Sequence, residues 1–195
     1  KDVIVANATL DEHRASMLTV FTKLARRNHS IKASKLHILQ SEIKYLGHIS
    51  TENGLKPTND HVKAISEMPY PAYEDGSVNV TSLRSFIGMV KYLRRYIKDC
   101  AKHCMVLNDL LTKESDLKWN SKHAMAWDSL KQDVVSSKGV WHPNYHHQFY
   151  VCTDGSKHGI GGYVYQIING EERIISYYSR STTAGERKRD TRGLE

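Results

Sequence analysis

Residues 149–166 read FYVCTDGSKHGIGGYVYQ, and the parsing of this stretch decides the fold. Two aromatic and β-branched runs, QFYVC and GGYVYQI, flank an acid, Asp154, and glycines at 155, 159, 161 and 162. A third run, RIISYYS, follows NGEE, a hairpin-turn signal. Three such runs predict antiparallel strands. Asp154 has three readings: a hairpin cap, part of a phosphate-cradling loop, or a carboxylate displayed at a strand end to hold a metal. A dinucleotide loop sets its glycines between a strand and a helix. Here they lie between two strands, so phosphate cradling is excluded.

Upstream the pattern is mostly helical. VIVA (3–6) reads as the end of a buried strand. TLDE then offers a capping box, Thr9 with Glu12, at the start of an amphipathic helix over 10–27 that carries Leu10, Met17, Phe21 and Leu24. IKYLGHIS and LKP, joined by TENG, predict two strands in a hairpin. PTNDHVKAISEM reads as a short helix, stopped by Pro69 and Pro71. After a loop at 72–80, a third helix sets Leu83, Phe86, Ile87, Val90, Leu93 and Ile97 on one side. Further helices are predicted near 103–113 and 121–137, with Gly139 as a stop. Three antiparallel strands alone are a marginal fold, so the chain is expected to be cut inside a domain.

With 195 residues, 39% hydrophobic and 25% charged, the chain can build real cores and is not disordered in composition. No apolar run approaches the roughly 20 residues that span a bilayer, so no membrane partner is expected. Three cysteines, Cys100, Cys104 and Cys152, are too few and too scattered for a disulfide framework, and an intracellular setting fits. Cys100 and Cys104 read as two small side chains on one helix face. The net charge of +7 favours a polyanionic partner, most simply nucleic acid.

Three stretches in order carry a resemblance. SKLHILQSEIKYLGHISTENGLKP (34–57), LRSFIGMVKYLRRYIKDCAKH (83–103) and FYVCTDGSKHGIGGYVYQ (149–166), the last followed by ISYYSR, resemble the reverse transcriptase–ribonuclease H region of gypsy-type long-terminal-repeat retrotransposon pol polyproteins. The resemblance implies an α+β fold. Residues 1–50 would be the end of the polymerase palm with a primer-grip-like hairpin, 51–135 the helical thumb and connection, and 136–195 the first strands of a ribonuclease H-like domain. It also implies an RNA-directed DNA polymerase and ribonuclease H that binds RNA–DNA hybrid and primer–template duplex, uses dNTPs and Mg2+ in the intact protein, and works inside the cell or in a retroelement particle. The isolated chain is expected to be inactive. The alternative is a decayed or domesticated element acting as a non-catalytic nucleic-acid-binding module.

Site residues follow from the same resemblance. Asp2 falls on the second aspartate of the family's YxDD box, while Lys1 stands where the first belongs; a lysine there opposes divalent-ion binding. Lys35 matches a lysine that is either a proton donor to pyrophosphate or a solvated surface residue. Tyr45, Leu46, Gly47 and His48 match the hairpin that steadies the primer end; the other reading is a plain β-turn. Arg84, Gly88 and Tyr92, spaced i, i+4, i+8, share one helix face and resemble a strip that lies in a duplex minor groove. Lys91, Arg94, Arg95 and Lys98 are candidates for phosphate contacts; the other reading is a solvated face with Gly88 serving helix packing. Asp154 matches the first catalytic, metal-binding aspartate of ribonuclease H. In GERKRDTRGLE, Glu186 and Arg187 align with the family's ER and Glu195 with its catalytic, metal-binding glutamate. Asp154 and Glu195 make at most half of such a metal site.

Overall fold

The structure is a computed structural model that describes residues 3–112, 118–156, 159–183 and 185–186. The first helix, α1 (Leu10–Ala25), opens on the expected box: Glu12 N donates to Thr9 Oγ1 and Thr9 N to the Glu12 carboxylate. None of its residues is buried, and Leu18 is exposed. VIVA is not a strand; Val3 and Ile4 are exposed. A strand is made by pairing, and no described strand pairs with this segment.

Four short strands, β1 (Glu42–Tyr45), β2 (His48–Thr51), β3 (Gly54–Pro57) and β4 (Val140–Trp141), form an antiparallel sheet in chain order. The expected single strand IKYLGHIS is therefore two. It folds back at Leu46 (φ 44°) and Gly47 (φ 69°), a two-residue turn with both central φ positive. β4 joins from far along the chain by pairing Gly54 with Trp141 and Leu55 with Val140.

Helix α2 (Asn59–Ser66) follows Pro57 and Thr58 and stops before Pro69, as the sequence predicts. Within the expected loop, residues 72–78 close a turn: Ala72 bridges Val78, and Ser77 N and Oγ both donate to Asp75. Asn79 then caps α3 (Val80–Tyr92) by accepting from Ser82 N. The expected single helix through Ile97 breaks at Leu93 into a 3-10 turn at Arg94–Tyr96. Left-handed Asp99 (φ 53°) precedes α4 (Cys100–Asn108), and Asn120 caps α5 (Ser121–Ser136). The predicted stripe forms the core: Leu83, Phe86, Ile87 and Val90 pack with Trp127, Leu130 and Val134 of α5. Phe86 stacks on Trp127 at 3.6 Å between ring centroids. Cys100 and Cys104 are free and buried on one face of α4, with sulfurs 3.8 Å apart.

The second sheet, β5 (Tyr150–Gly155), β6 (Gly159–Ile168) and β7 (Glu171–Ser181), is antiparallel in that order. Its β6–β7 turn, Asn169–Gly170, again has two positive φ, the geometry that NGEE signals. The sheet is tied to the rest of the fold: Ala101 N, in the first turn of α4, donates to Ser179 Oγ at 3.0 Å, and the Arg173 guanidinium lies 4.3 Å over the ring of Trp141 in β4. Among the described residues, no helix is long and apolar enough to cross a membrane.

Candidate nucleic-acid interface

Helix α3 separates its two faces cleanly. The buried stripe holds it to α5, which leaves Arg84, Gly88 and Tyr92 together on the exposed side. A Cβ added at Gly88 would meet no atom within 4 Å. This glycine therefore serves no helix contact among the described residues, and a mid-helix glycine costs about 0.5–1 kcal/mol relative to alanine. Lys91, Arg94, Arg95 and Lys98 are all exposed around the same end of the helix.

The β1–β2 turn meets that end. The Tyr92 hydroxyl donates to the Leu46 carbonyl oxygen. The Tyr92 ring stacks on His48 at 5.1 Å with 5° between the planes, and meets His61 of α2 edge-on at 5.4 Å. A Cβ on Gly47 would lie 2.6 Å from the Tyr92 hydroxyl and 2.8 Å from His61 Cε1. The positive φ and this close approach each call for glycine there. His48 Nδ1 also sits 2.9 Å from the hydroxyl of buried Tyr96. Burial, then the Arg95 charge and then His61, lower the His48 pKa, which favours the neutral ring. Tyr45, Leu46, His48, Tyr92 and Arg95 line one cavity of about 600 Å³. The structure thus brings together the hairpin residues with Tyr92 and Arg95, and Arg84 and Gly88 extend the same strip along α3.

Other expected site residues lie elsewhere. Lys35 is exposed at the end of a 3-10 turn, Ala33–Lys35. Asp2 and Glu195 lie outside the described residues. Asp154 is exposed in β5 and pairs with Gly161, which pairs in turn with Ser179. Directly opposed residues share a sheet face, so the row Asp154–Gly161–Ser179 faces the start of α4. A Cβ on Gly161 would come 3.1 Å from a carboxylate oxygen of Asp99. Among the described residues, no three His, Cys, Asp or Glu side chains converge as a metal site. Asp154 alone does not supply the several oxygen ligands that a magnesium ion takes, and no chemical step is derived through one. Glu186 is held by Arg180 in a two-pronged pair at 2.7 and 2.8 Å and accepts from Thr183 N, which keeps its carboxyl well below the usual range. Thr183-x-x-Glu186 is the sequence pattern of a capping box, a signal that sequence reading passed over. His61, Tyr96 and Asp99 were also missed; their contacts link distant parts of the chain, and no local pattern marks them.

Comparison with known proteins bears on the family and the fold. Residues 119–195 match the family described as the RNase H-like domain found in reverse transcriptase. The chain is 30% identical over 191 residues to the retrovirus-related Pol polyprotein from transposon opus of Drosophila melanogaster, with 92% of this chain and 18% of that protein covered. It is 27% identical over 179 residues to the transposon Tf2-3 polyprotein of Schizosaccharomyces pombe, covering 91% of this chain and 13% of the relative. The chain thus spans less than a fifth of the length of these relatives. Among solved structures, foamy viral protease-reverse transcriptase in complex with double-stranded DNA superposes with a TM-score of 0.77 at 19% identity, over 97% of this chain and 32% of that one. The same protein in complex with RNA/DNA hybrid gives a TM-score of 0.74 at 20% identity, over 95% and 25%. At that identity the likeness speaks for the fold alone: mixed helix and sheet, with an RNase H-like sheet. Residues 119–195 thus carry the sequence pattern of the RNase H-like domain found in reverse transcriptase, and over more than nine-tenths of its length the chain is similar to retrotransposon Pol polyproteins.

Proposed function

We propose that this chain is the duplex-gripping part of a retroelement reverse transcriptase–ribonuclease H. It comprises the end of the palm with its primer-grip-like hairpin, the thumb and connection, and the opening strands of the ribonuclease H domain. The observation that carries this reading is the exposed strip Arg84–Gly88–Tyr92, open at its glycine and continuous with the Leu46–Gly47 turn. A groove edge or sugar–phosphate backbone can approach where Gly88 has no side chain. Arg84 then lies along the groove with Tyr92, and Lys91, Arg94, Arg95 and Lys98 meet phosphates. The foamy viral neighbours, solved with double-stranded DNA and with RNA/DNA hybrid, suggest the ligand class.

In the intact intracellular protein, the reaction would be RNA-directed DNA synthesis from dNTPs and hydrolysis of the RNA strand. Asp154, Glu195 and Asp2 would be magnesium ligands there, and Lys35 would lie near the pyrophosphate. The chain by itself binds duplex and catalyses nothing. A second reading, a decayed or domesticated non-catalytic binding module, is favoured by Lys1, which stands where the family has an aspartate. An in-frame YxDD in the parent gene would decide against it.

The test of the duplex reading is a titration of the chain with RNA–DNA hybrid. Arg84→Ala and Tyr92→Ala are expected to weaken binding more than Lys44→Ala, whose ammonium is paired with Asp60 at 2.6 Å. Equal effects would remove the α3 strip as the interface.

A further inference from the structure

Thr58 stands at the N-cap of α2, yet its side chain makes no capping hydrogen bond. A threonine cap contributes about 1 kcal/mol, and here that contribution is given up. Thr58 is buried, and its Oγ1 instead lies 3.0 Å from His61 Nδ1. The same nitrogen is 3.1 Å from the carbonyl oxygen of Gly47. A carbonyl only accepts, so Nδ1 carries a hydrogen and donates it. With its orientation fixed in this way, His61 holds the turn from one side while its edge meets Tyr92. From the other side, His48 stacks on Tyr92 and reaches the Tyr96 hydroxyl. The turn, α2, α3 and the following 3-10 turn therefore converge on one tyrosine ring.

We infer that His61, with His48, is a positioning residue: it fixes the Leu46–Gly47 turn to Tyr92 of α3, so that the turn recognises the free 3′ end of a duplex strand in register with the α3 strip. The inference rests on the reading above, in which the primer-grip-like hairpin steadies a strand end, and adds to it the residue that holds that hairpin in place. The strip grips duplex anywhere along its length, whereas end recognition needs the turn held at one height relative to the strip. Leu46, the turn's exposed side chain, is the group this arrangement presents.

The experiment compares two RNA–DNA hybrids of equal length by fluorescence anisotropy, one with a recessed DNA 3′ end and one closed at that end by a hairpin loop. The native chain is expected to prefer the recessed end. His61→Phe keeps a ring against Tyr92 but removes the donor to Gly47. It is expected to lower that preference by about three- to tenfold, the factor that one hydrogen bond carries, with binding to the closed hybrid unchanged. His61→Asn places an amide N–H near the lost Nδ1–H and is expected to restore the preference. His61→Ala is expected to behave as His61→Phe. Should the alanine variant fail to fold, the contrast between Phe and Asn decides. An end preference unchanged in His61→Phe, or equal losses on both hybrids in Phe and Asn, overturns the inference while leaving the duplex reading intact. A native chain that binds both hybrids without preference also overturns it. A native chain that binds neither overturns the duplex reading and this inference together.

Discussion

The Tyr92 hydroxyl donates to the carbonyl oxygen of Leu46, 46 residues earlier in the chain, and so ties the exposed face of α3 to the β1–β2 turn. Leu46 is in the left-handed region, φ 44°, where its carbonyl has no partner in the hairpin ladder at the tip. Tyr92 supplies that partner. Tyr92→Phe keeps the ring and its stack on His48 but deletes the donor. It is expected to lower stability by about 1 kcal/mol, the usual net value of one such bond, read as a shift of the urea midpoint at unchanged slope. An unchanged midpoint would mean that solvent satisfies Leu46 equally well.

Binding should be strongly electrostatic. The chain carries a net charge of +7; Arg84 is exposed on α3, and Lys91, Arg94, Arg95 and Lys98 are exposed at and just beyond its C-terminal end. The logarithm of the hybrid association constant is expected to fall linearly with the logarithm of salt concentration. Replacing any one phosphate-contacting cation should flatten that line by about one unit of slope. Lys91→Ala is expected to do so and Lys44→Ala is not, as measured by titrations at several salt concentrations.

Stability should fall in mild acid. Burial, then the charges of Arg95 and His61, lower the His48 pKa; burial and then Lys122 lower that of His123, with Asp109 opposing. A histidine depressed in the folded state binds more protons when unfolded, so stability rises with pH across the window between its folded and unfolded values. It is complete above about pH 6.5, the ordinary imidazole value, and is lost as pH falls through the lowered folded values. For His123 the contact is explicit: its Nδ1 accepts from Asn120 N at 3.2 Å, and a protonated ring has no acceptor there. His123→Gln keeps a capping-box acceptor that does not titrate. Urea midpoints between about pH 7 and pH 5 are expected to fall in the native chain and to fall less in His123→Gln; identical slopes would exclude His123 as a source.

Local patterns in the sequence announced the elements that rest on neighbours in the chain. Thr9-x-x-Glu12 marked the start of α1, the spacing of Leu83, Phe86, Ile87 and Val90 marked the buried face of α3, and Asn169–Gly170 marked the β6–β7 turn. The strip Arg84–Gly88–Tyr92 was legible for the same reason, since helical periodicity alone puts those residues on one face. The turn at Leu46–Gly47 was not, because leucine is a rare choice at a positive φ and what holds it there is Tyr92 on another element. Likewise, β4 is two residues long and is defined by its pairing with Gly54 and Leu55, so nothing in Val140–Trp141 itself declares a strand. His61 carries no motif either. Its importance comes from reaching Gly47, 14 residues away, across a gap that only the folded chain closes.

The most direct test of the duplex-gripping claim is Gly88→Ala, because fold and function pull it in opposite directions. A Cβ there meets nothing within 4 Å, and alanine is the better helix former, so the variant should be more stable by about 0.5–1 kcal/mol. If the open position exists to admit a nucleic-acid duplex, the same methyl group obstructs its approach. The account predicts a raised urea midpoint together with weakened RNA–DNA hybrid binding. A variant that is stabilised and binds hybrid as tightly as the native chain would contradict it.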